Sequence, residues 1–129
     1  MLPKIEKYLS ALTQLSRAVA AYSNSPDDAL YRDGLIQRFE FTFELAWKSM
    51  REYLEDQGVL MNIISPRSVL KEAYAVGVIH DEALWRAALD ARNMTSHVYD
   101  EETADRIAHQ ICDNFLPPLT ALAEFYKGE

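Results

Sequence analysis

Apolar side chains recur every three or four positions through most of the chain, a spacing that places them on one face of an α-helix. A first helix is predicted over about Leu2–Tyr22, with an apolar stripe made of Ile5, Leu9, Leu12, Leu15 and Val19. A second helix, from about Asp27 to Gln57, has one stripe made of Ile36, Phe39, Phe43, Trp47, Met50 and Leu54, and has Phe41 and Leu45 on another side. A helix that is apolar on more than one side either lies at the centre of a fold or faces both a core and a partner chain.

Residues that begin or end helices separate these segments. Between the first two helices, Ser25 is a candidate cap and Pro26 suits the first turn of the second helix. Gly58 is expected to end that helix. A shorter helix is predicted over 65–77, because this segment begins with a serine cap followed by proline and ends with glycine.

Two further helices are predicted in the second half of the chain. The first opens at a His-Asp pair and covers about 80–99, and the second begins with Asp100 as its cap and covers about 100–126. Pro117 and Pro118 lie inside that last helix. They are expected to kink or break it, because each proline ring lacks a backbone donor and clashes with the preceding turn.

The predicted fold is all-α, an antiparallel bundle of four long helices plus a short helix, because no segment shows the strict alternation of a half-buried strand. A length of 129 residues indicates a single domain spanning 1–129, and the apolar fraction of 49% is enough for a core. Only 4 glycines and 5 prolines are present, which also favours long helices.

Composition further limits the function. The single cysteine, Cys112, excludes an internal disulfide and a zinc site made of cysteines, and is expected to be a small buried apolar residue. We expect a cytoplasmic protein, because no signal-peptide core and no apolar run long enough to span a membrane is present. The net charge of -7 opposes binding to nucleic acid on average. Contact with RNA would therefore require a local basic patch, or one formed only after dimerisation.

The stretch LDARNMTSHVYDEET, residues 89–103, departs from the usual division of a helix into an apolar and a charged side. At about 100° per residue, the side assigned to the core consists of Leu84, Ala87, Ala91, Met94 and Val98. A second side consists of Trp85, Leu89, Arg92, Ser96 and Tyr99, with Asp90, Asn93 and His97 beside it. A tryptophan and a leucine outside the core stripe suggest a dimer interface made by Trp85, Leu89 and Ser96.

The polar residues of this stretch also allow a plainer interpretation. Arg92 and His97 can be solvated helix residues, with Tyr99 covering an edge of the bundle, since an arginine four residues before a histidine occurs by chance in many helices. The segment RNMTSHVYDE nevertheless resembles the signature of the HEPN superfamily, R-x4-6-H, most often with a polar residue after the arginine. Arg92, Asn93 and His97 match that signature, and Tyr99 completes the longer pattern R-x4-H-x-Y.

Two other segments are similar to one HEPN subgroup, the nucleotidyltransferase substrate-binding proteins. They are IQRFEFTFELAWK (36–48) and SPRSVLKEAYAVGVI (65–79), and the resemblance covers roughly 5–125. It implies a homodimer of helical bundles in which two motifs face a shared cleft, and a partner that is a minimal nucleotidyltransferase. In such pairs the HEPN chain is a toxin and a metal-independent ribonuclease. The partner silences it by adding AMP to the motif tyrosine, here Tyr99, where a bulky anion would block the cleft.

The matching residue types suit metal-free RNA cleavage, which needs a base for the 2′-hydroxyl, an acid for the leaving 5′-oxygen and a cation for the charge on the phosphoryl group. Histidine can be base or acid near neutral pH, and arginine clamps phosphate. We therefore expect Arg92, His97 and Asn93 to be catalytic, with Asn93 positioning the phosphate or the histidine. We expect no metal and no cofactor, since His80 and His109 lack companions at metal-ligand spacing and no glycine-rich phosphate loop is present.

Two questions stay open from the sequence. Glu40 and Glu44 lie one turn apart on a helix that also carries basic residues, so they either form ion pairs on a solvated or interfacial face or orient Arg92 or His97 across the cleft. The alternative to a ribonuclease is a non-catalytic subunit that presents a substrate or nucleotide to the nucleotidyltransferase. The acidic net charge favours that alternative, and the complete arginine, histidine and tyrosine motif favours the ribonuclease.

Overall fold

A computed structural model of the chain describes residues 1–128, which are helical throughout apart from short connections and contain no strand. The helices are α1 (Pro3–Asn24), α2 (Ala29–Asp56), α3 (Pro66–Ala75), α4 (Glu82–Met94), α5 (Glu101–Gln110) and α6 (Leu116–Gly128). A short 3₁₀ turn, Thr95–His97, follows α4, and a π-helical segment, Ile111–Phe115, joins α5 to α6. The predicted all-α bundle is confirmed. None of the helices in this part of the chain is long and apolar enough to cross a membrane.

The connection between α1 and α2 corrects one predicted boundary. Asp28 caps α2, because its carboxylate accepts a hydrogen bond from the backbone N–H of Leu30 at 2.9 Å. Ser25 instead ends α1, donating its own backbone N–H to the carbonyl groups of the last turn. Ser25 and Pro26 are therefore not the start of α2, since a carboxylate further along the chain satisfies the free N–H groups.

The helix ends predicted at Gly58, Ser65, Gly77 and Asp81 are confirmed. Gly58 and Gly77 have φ angles of 82° and 84°, a left-handed conformation that glycine adopts without strain. Ser65 forms a reciprocal pair of cap hydrogen bonds with Ser68 at the start of α3. Asp81 caps α4 by accepting from the N–H of Leu84 at 3.0 Å.

The two prolines do not break the last helix, contrary to one of the predicted outcomes. The chain passes from α5 through the π-helical segment directly into α6, where Pro117 and Pro118 occupy the first turn. A π turn places one more residue in each hydrogen-bonded ring, and such segments accommodate an irregularity inside a continuous helix. The distortion that the prolines impose is therefore taken up before them, at 111–115.

Helix α2 lies at the centre of the fold, as one of the two interpretations of its apolar surface expected. It packs against α1, α3, α4 and α5. Its Phe39 ring stacks on Phe115 with the centroids 5.7 Å apart, and its Phe43 ring lies 6.1 Å from Trp85 of α4. These rings link α2 to the helix that carries the motif and to the π-helical segment.

The side of α4 that faces the core is the one assigned to a partner interface by periodicity, so that assignment was wrong. Trp85 and Leu89 are only 2% and 6% exposed, whereas Ala87 and Met94 lie on the exposed side. The indole and the leucine side chain remove far more apolar surface from water than the alanine does, and they pack toward α2. Trp85 and Leu89 therefore belong to the core of this chain, and the basis for placing them in a dimer interface is lost.

Candidate active site

Helix α4 ends before the motif does. The hydroxyl of Thr95 donates to the carbonyl oxygen of Arg92 at 2.6 Å, and a 3₁₀ turn then covers Thr95–His97. Because a threonine hydroxyl competes for the carbonyl groups of the preceding turn, it favours an end to the helix there. The prediction that this helix continues to Tyr99 is therefore wrong. Tyr99 lies in the connection to α5 instead.

Arg92 is held by two carboxylates of α2. Its Nη1 lies 3.8 Å from Oε2 of Glu40, and its Nε lies 3.5 Å from Oε1 of Glu44. The Arg92 side chain is 24% exposed, so it is less exposed than a solvated helix residue would be. Its Nε is shielded from solvent and makes no hydrogen bond of acceptable geometry with any of residues 1–128. The two glutamates thus form ion pairs with Arg92 from a neighbouring helix, at separations longer than a normal hydrogen bond.

Glu44 is itself restrained by its neighbours on α2. Its Oε2 accepts a hydrogen bond from the indole N–H of Trp47 at 3.3 Å and lies 3.8 Å from the ammonium group of Lys48. The Lys48 ammonium also lies 6.0 Å from the centre of the Trp47 ring. Glu44 therefore offers one oxygen to Arg92 and the other to its own helix, which fixes its orientation.

The other motif residues are exposed. Asn93, Ser96 and His97 are accessible to solvent, and the Tyr99 side chain is 86% exposed. The His97 and Tyr99 rings lie with their centroids 6.4 Å apart at an angle of 61°. The exposed imidazole and phenol can reach a substrate or a modifying enzyme without any rearrangement of the core.

The segment after Tyr99 is tied to the start of α2 by a buried arginine that the sequence analysis did not single out. The guanidinium of Arg32 is 7% exposed and pairs with Glu101, with Asp105 at 3.2 Å and with Asp33 at 3.0 Å. Its hydrogen bond to Glu101 raises the pKa of Arg32 and lowers the pKa of the Glu101 carboxyl. Since α5 begins at Glu101, this cluster fixes one end of the connection that carries Tyr99.

The spacing of apolar residues along α2 could have predicted that Arg32 is buried. It lies four residues before Ile36 and seven before Phe39, on the same stripe of α2 that faces the core. A charged residue on such a stripe is almost never buried without an opposite charge. The sequence therefore implied a carboxylate partner for Arg32, although only the packing of α5 on α2 shows which one.

The chain resembles known proteins along nearly its whole length. A family model described as nucleotidyltransferase substrate binding protein like matches residues 3–127. The probable ribonuclease HepT of Haemophilus influenzae is 39% identical over 94 residues, a match that covers 70% of this chain and 64% of that protein. The match thus spans just under two thirds of that relative's length.

Two solved structures have the same fold. A Haemophilus influenzae protein, described as revealing the fold of a substrate binding domain of a nucleotidyltransferase, superposes with a TM-score of 0.85 at 30% identity, covering 95% of this chain and 98% of that one. A Thermus thermophilus protein superposes with a TM-score of 0.74 at 32% identity, covering 94% of this chain and 96% of that one.

Proposed function

Because the chain belongs to the nucleotidyltransferase substrate-binding subgroup of the HEPN superfamily, we propose that it is the toxin of a toxin–antitoxin pair. In this proposal it is a metal-independent endoribonuclease that acts as a homodimer. Its R-x4-H-x-Y motif lies at the dimer cleft, and a partner minimal nucleotidyltransferase silences it by transferring AMP to Tyr99. The observation that carries the proposal is that Arg92 pairs with Glu40 and Glu44 near the end of α4, while His97 and Tyr99, which follow it in the sequence, are exposed.

The proposed reaction is a transesterification within RNA. The 2′-oxygen attacks the neighbouring phosphorus and gives up its proton to a histidine, while the bond to the 5′-oxygen breaks and that oxygen takes a proton from a second acid. The products are a 2′,3′-cyclic phosphate and a 5′-hydroxyl. Arg92 stabilises the negative charge that develops on the phosphoryl oxygens, and Asn93 positions the phosphate.

A second copy of the chain supplies the second acid in this scheme. Each chain has one motif histidine, His97, so a two-fold dimer brings one base and one acid to a shared cleft. The exposed face of α2 supports this arrangement, because the Phe41 ring is 57% exposed between Glu40 and Glu44. An apolar ring in that position favours contact with another protein surface. Dimerisation through this face of α2 replaces the interface first expected at Trp85 and Leu89.

Silencing in the proposal is a second phosphoryl transfer. The phenol oxygen of Tyr99 attacks the α-phosphorus of ATP, pyrophosphate leaves, and the tyrosine is left as a phosphodiester of AMP. The 86% exposure of Tyr99 supports access by a second enzyme. The added AMP brings a negative charge and an adenine to the motif, where both oppose the entry of an RNA phosphate.

The first test is growth arrest on expression of the chain without its partner. We expect arrest by the wild-type chain, relief on co-expression of the cognate nucleotidyltransferase, and no arrest by His97→Ala or Arg92→Ala. His80→Ala is the matched control, since His80 is an exposed histidine outside the motif. Arrest by soluble His97→Ala as strong as that by wild type would remove the catalytic role of His97.

A non-catalytic subunit that binds a substrate or nucleotide for the nucleotidyltransferase is the second candidate. Two observations favour it: the charge of Arg92 is already offset by two carboxylates, and the net charge of the chain is -7. In that case the His97→Ala and wild-type chains would stimulate the nucleotidyltransferase equally, and neither would cleave RNA.

A further inference from the structure

An open depression of about 500 Å³ lies between the first turns of α3 and the start of α4. Its lining residues are Ser65, Arg67, Ser68, Lys71, Glu82 and Arg86. Three of the six are cations, one is an anion, and none has an apolar side chain. This set of six residues is called the basic depression below.

The basic depression is unusual in a chain this acidic. The whole sequence has 13 lysines and arginines against 20 aspartates and glutamates, and three of those cations line this one depression. Two carboxylates moderate the charge: Glu82 lines the depression, and Asp90 pairs with Arg67 at 3.7 Å. The Arg67 and Asp90 side chains are 63% and 69% exposed, so this pair is weak and Arg67 can exchange it for a phosphate.

The basic depression and one motif residue, Asn93, share one face of α4, whereas Arg92 pairs with α2 on another side of the helix. Arg86, Asp90 and Asn93 are all exposed and follow each other at spacings of four and three, which places them along one line on the helix. Arg86 and Asn93 are about 10 Å apart along the helix axis at the usual rise per residue. His97 follows in the exposed turn at the end of that helix. A ligand that extends from the motif along α4 therefore reaches the basic depression.

We propose that the basic depression binds the backbone phosphates of the RNA substrate on one side of the scissile bond, through Arg67, Lys71 and Arg86. The inference rests on the proposed ribonuclease function and adds the path of the RNA. An extended RNA strand fits the basic depression because it carries a phosphate at every nucleotide. The core of a protein interface is usually apolar, whereas none of the six residues that line the depression has an apolar side chain.

The depression also provides the local basic patch that a chain with an acidic net charge needs in order to bind RNA. Affinity for single-stranded nucleic acid comes mainly from cations that replace the counterions of phosphates. On a chain with a net charge of -7, a local group of three cations next to the motif is the surface where such replacement is favourable. The RNA path therefore runs from His97 along the exposed face of α4 to α3.

The test measures binding of a fluorescently labelled single-stranded RNA to His97→Ala protein, in which cleavage does not interfere. The variant adds Arg67→Gln, Lys71→Gln and Arg86→Gln. Its matched control adds three neutralisations elsewhere on the same background, at Lys7, Arg17 and Lys127, which are also exposed. Both triple variants change the net charge equally, so a difference in their RNA affinities depends on where the three cations lie.

Three phosphate contacts at a salt slope of about 0.7 each predict a loss in affinity of about 50-fold near 0.15 M salt, and a slope smaller by about 2. The control is expected to lose a few-fold at most. For the single variants Lys71→Gln and Arg86→Gln, we expect a loss in RNA affinity of about 4-fold each on the same basis. These single variants are measured instead if the triple variant does not fold.

Equal affinities for the two triple variants, or for the single variants and their parent, would overturn the inference and leave the ribonuclease proposal intact. Unchanged RNA affinity combined with loss of binding to the nucleotidyltransferase would also overturn it, and would assign the depression to the partner protein. If the wild-type chain neither binds nor cleaves RNA, the proposed function itself fails, which is a different result from either of these.

Discussion

Replacing Glu44 by glutamine tests whether the carboxylates of α2 position Arg92 or merely neutralise it. The change removes one charge, while the side chain keeps its shape and one acceptor oxygen. At 3.5 Å from the Arg92 Nε, the lost attraction is about 5 kcal/mol at an effective dielectric constant of about 20, before screening and desolvation are counted. Both side chains are partly exposed, so the net loss of unfolding free energy is expected to be about 0.2–1 kcal/mol.

The effect on activity is expected to be larger than the effect on stability. Without the charge on Glu44, the guanidinium keeps Glu40, at 3.8 Å, as its ionic partner among residues 1–128. A shift of about 1 Å in a group that contacts the reacting phosphate can cost about 100-fold in rate. We therefore expect Glu44→Gln to lower kcat for RNA cleavage by about 10- to 100-fold with a smaller change in KM, since Arg92 acts mainly on the charge of the transition state.

The assay is the initial rate of cleavage of a labelled RNA at several RNA concentrations, together with urea unfolding of the same proteins. Glu55→Gln is the matched control, because Glu55 pairs with Arg51 at 2.7 Å on the same helix but does not contact Arg92. It should lose as little stability as Glu44→Gln and keep full activity. A Glu44→Gln enzyme as active as wild type, or more active, would show that the carboxylate only offsets the charge of Arg92 and does not position it.

Three other predictions concern Tyr99 and the ion-pair cluster around Arg32. Incubation with the cognate nucleotidyltransferase and ATP should raise the mass of the chain in AMP-sized steps located on Tyr99. Tyr99→Phe should stay unmodified, whereas Tyr74→Phe, a change at another exposed tyrosine, should leave modification normal. AMP found on a different residue would contradict the assignment. Arg32→Met should cost about 1–2 kcal/mol of unfolding free energy in urea, more than Arg38→Met at an exposed position of α2, and equal costs would show that the Arg32 cluster does not stabilise the fold. Because Arg32 holds the pKa of Glu101 below its ordinary value of 4.5, the stability due to this pair is complete above that value and is lost as the pH falls through the lower folded-state pKa; acid unfolding should therefore show a smaller loss in Arg32→Met than in wild type.

The helices and most of their ends could be predicted because local chemistry determines them. Apolar spacing predicted α1 and α2, capping residues and glycine predicted α3, and Ser65 and Asp100 cap their helices as expected. The side of α4 that faces the core could not be predicted, because apolar residues occur almost all round that helix between 84 and 91. The choice depends on the rings of α2, such as Phe43 against Trp85, which lie far away in the sequence.

The candidate site shows the same division between local and distant information. The motif named Arg92, Asn93, His97 and Tyr99 directly, but it did not show that α4 stops at Met94, since neither glycine nor proline marks that end. The pairing of Arg92 with Glu40 and Glu44 was only one of two interpretations of those glutamates from sequence. It depends on how α4 packs on α2, which no spacing along a single helix can determine.

The most direct test of the proposed function is cleavage of RNA by purified chain in excess EDTA, with the His97→Ala and His80→Ala proteins measured beside it. We expect wild type and His80→Ala to cleave at the same rate with or without EDTA, leaving 2′,3′-cyclic phosphate ends, and correctly folded His97→Ala not to cleave. Cleavage that EDTA abolishes, or cleavage by His97→Ala at the wild-type rate, would contradict the metal-independent mechanism at this motif.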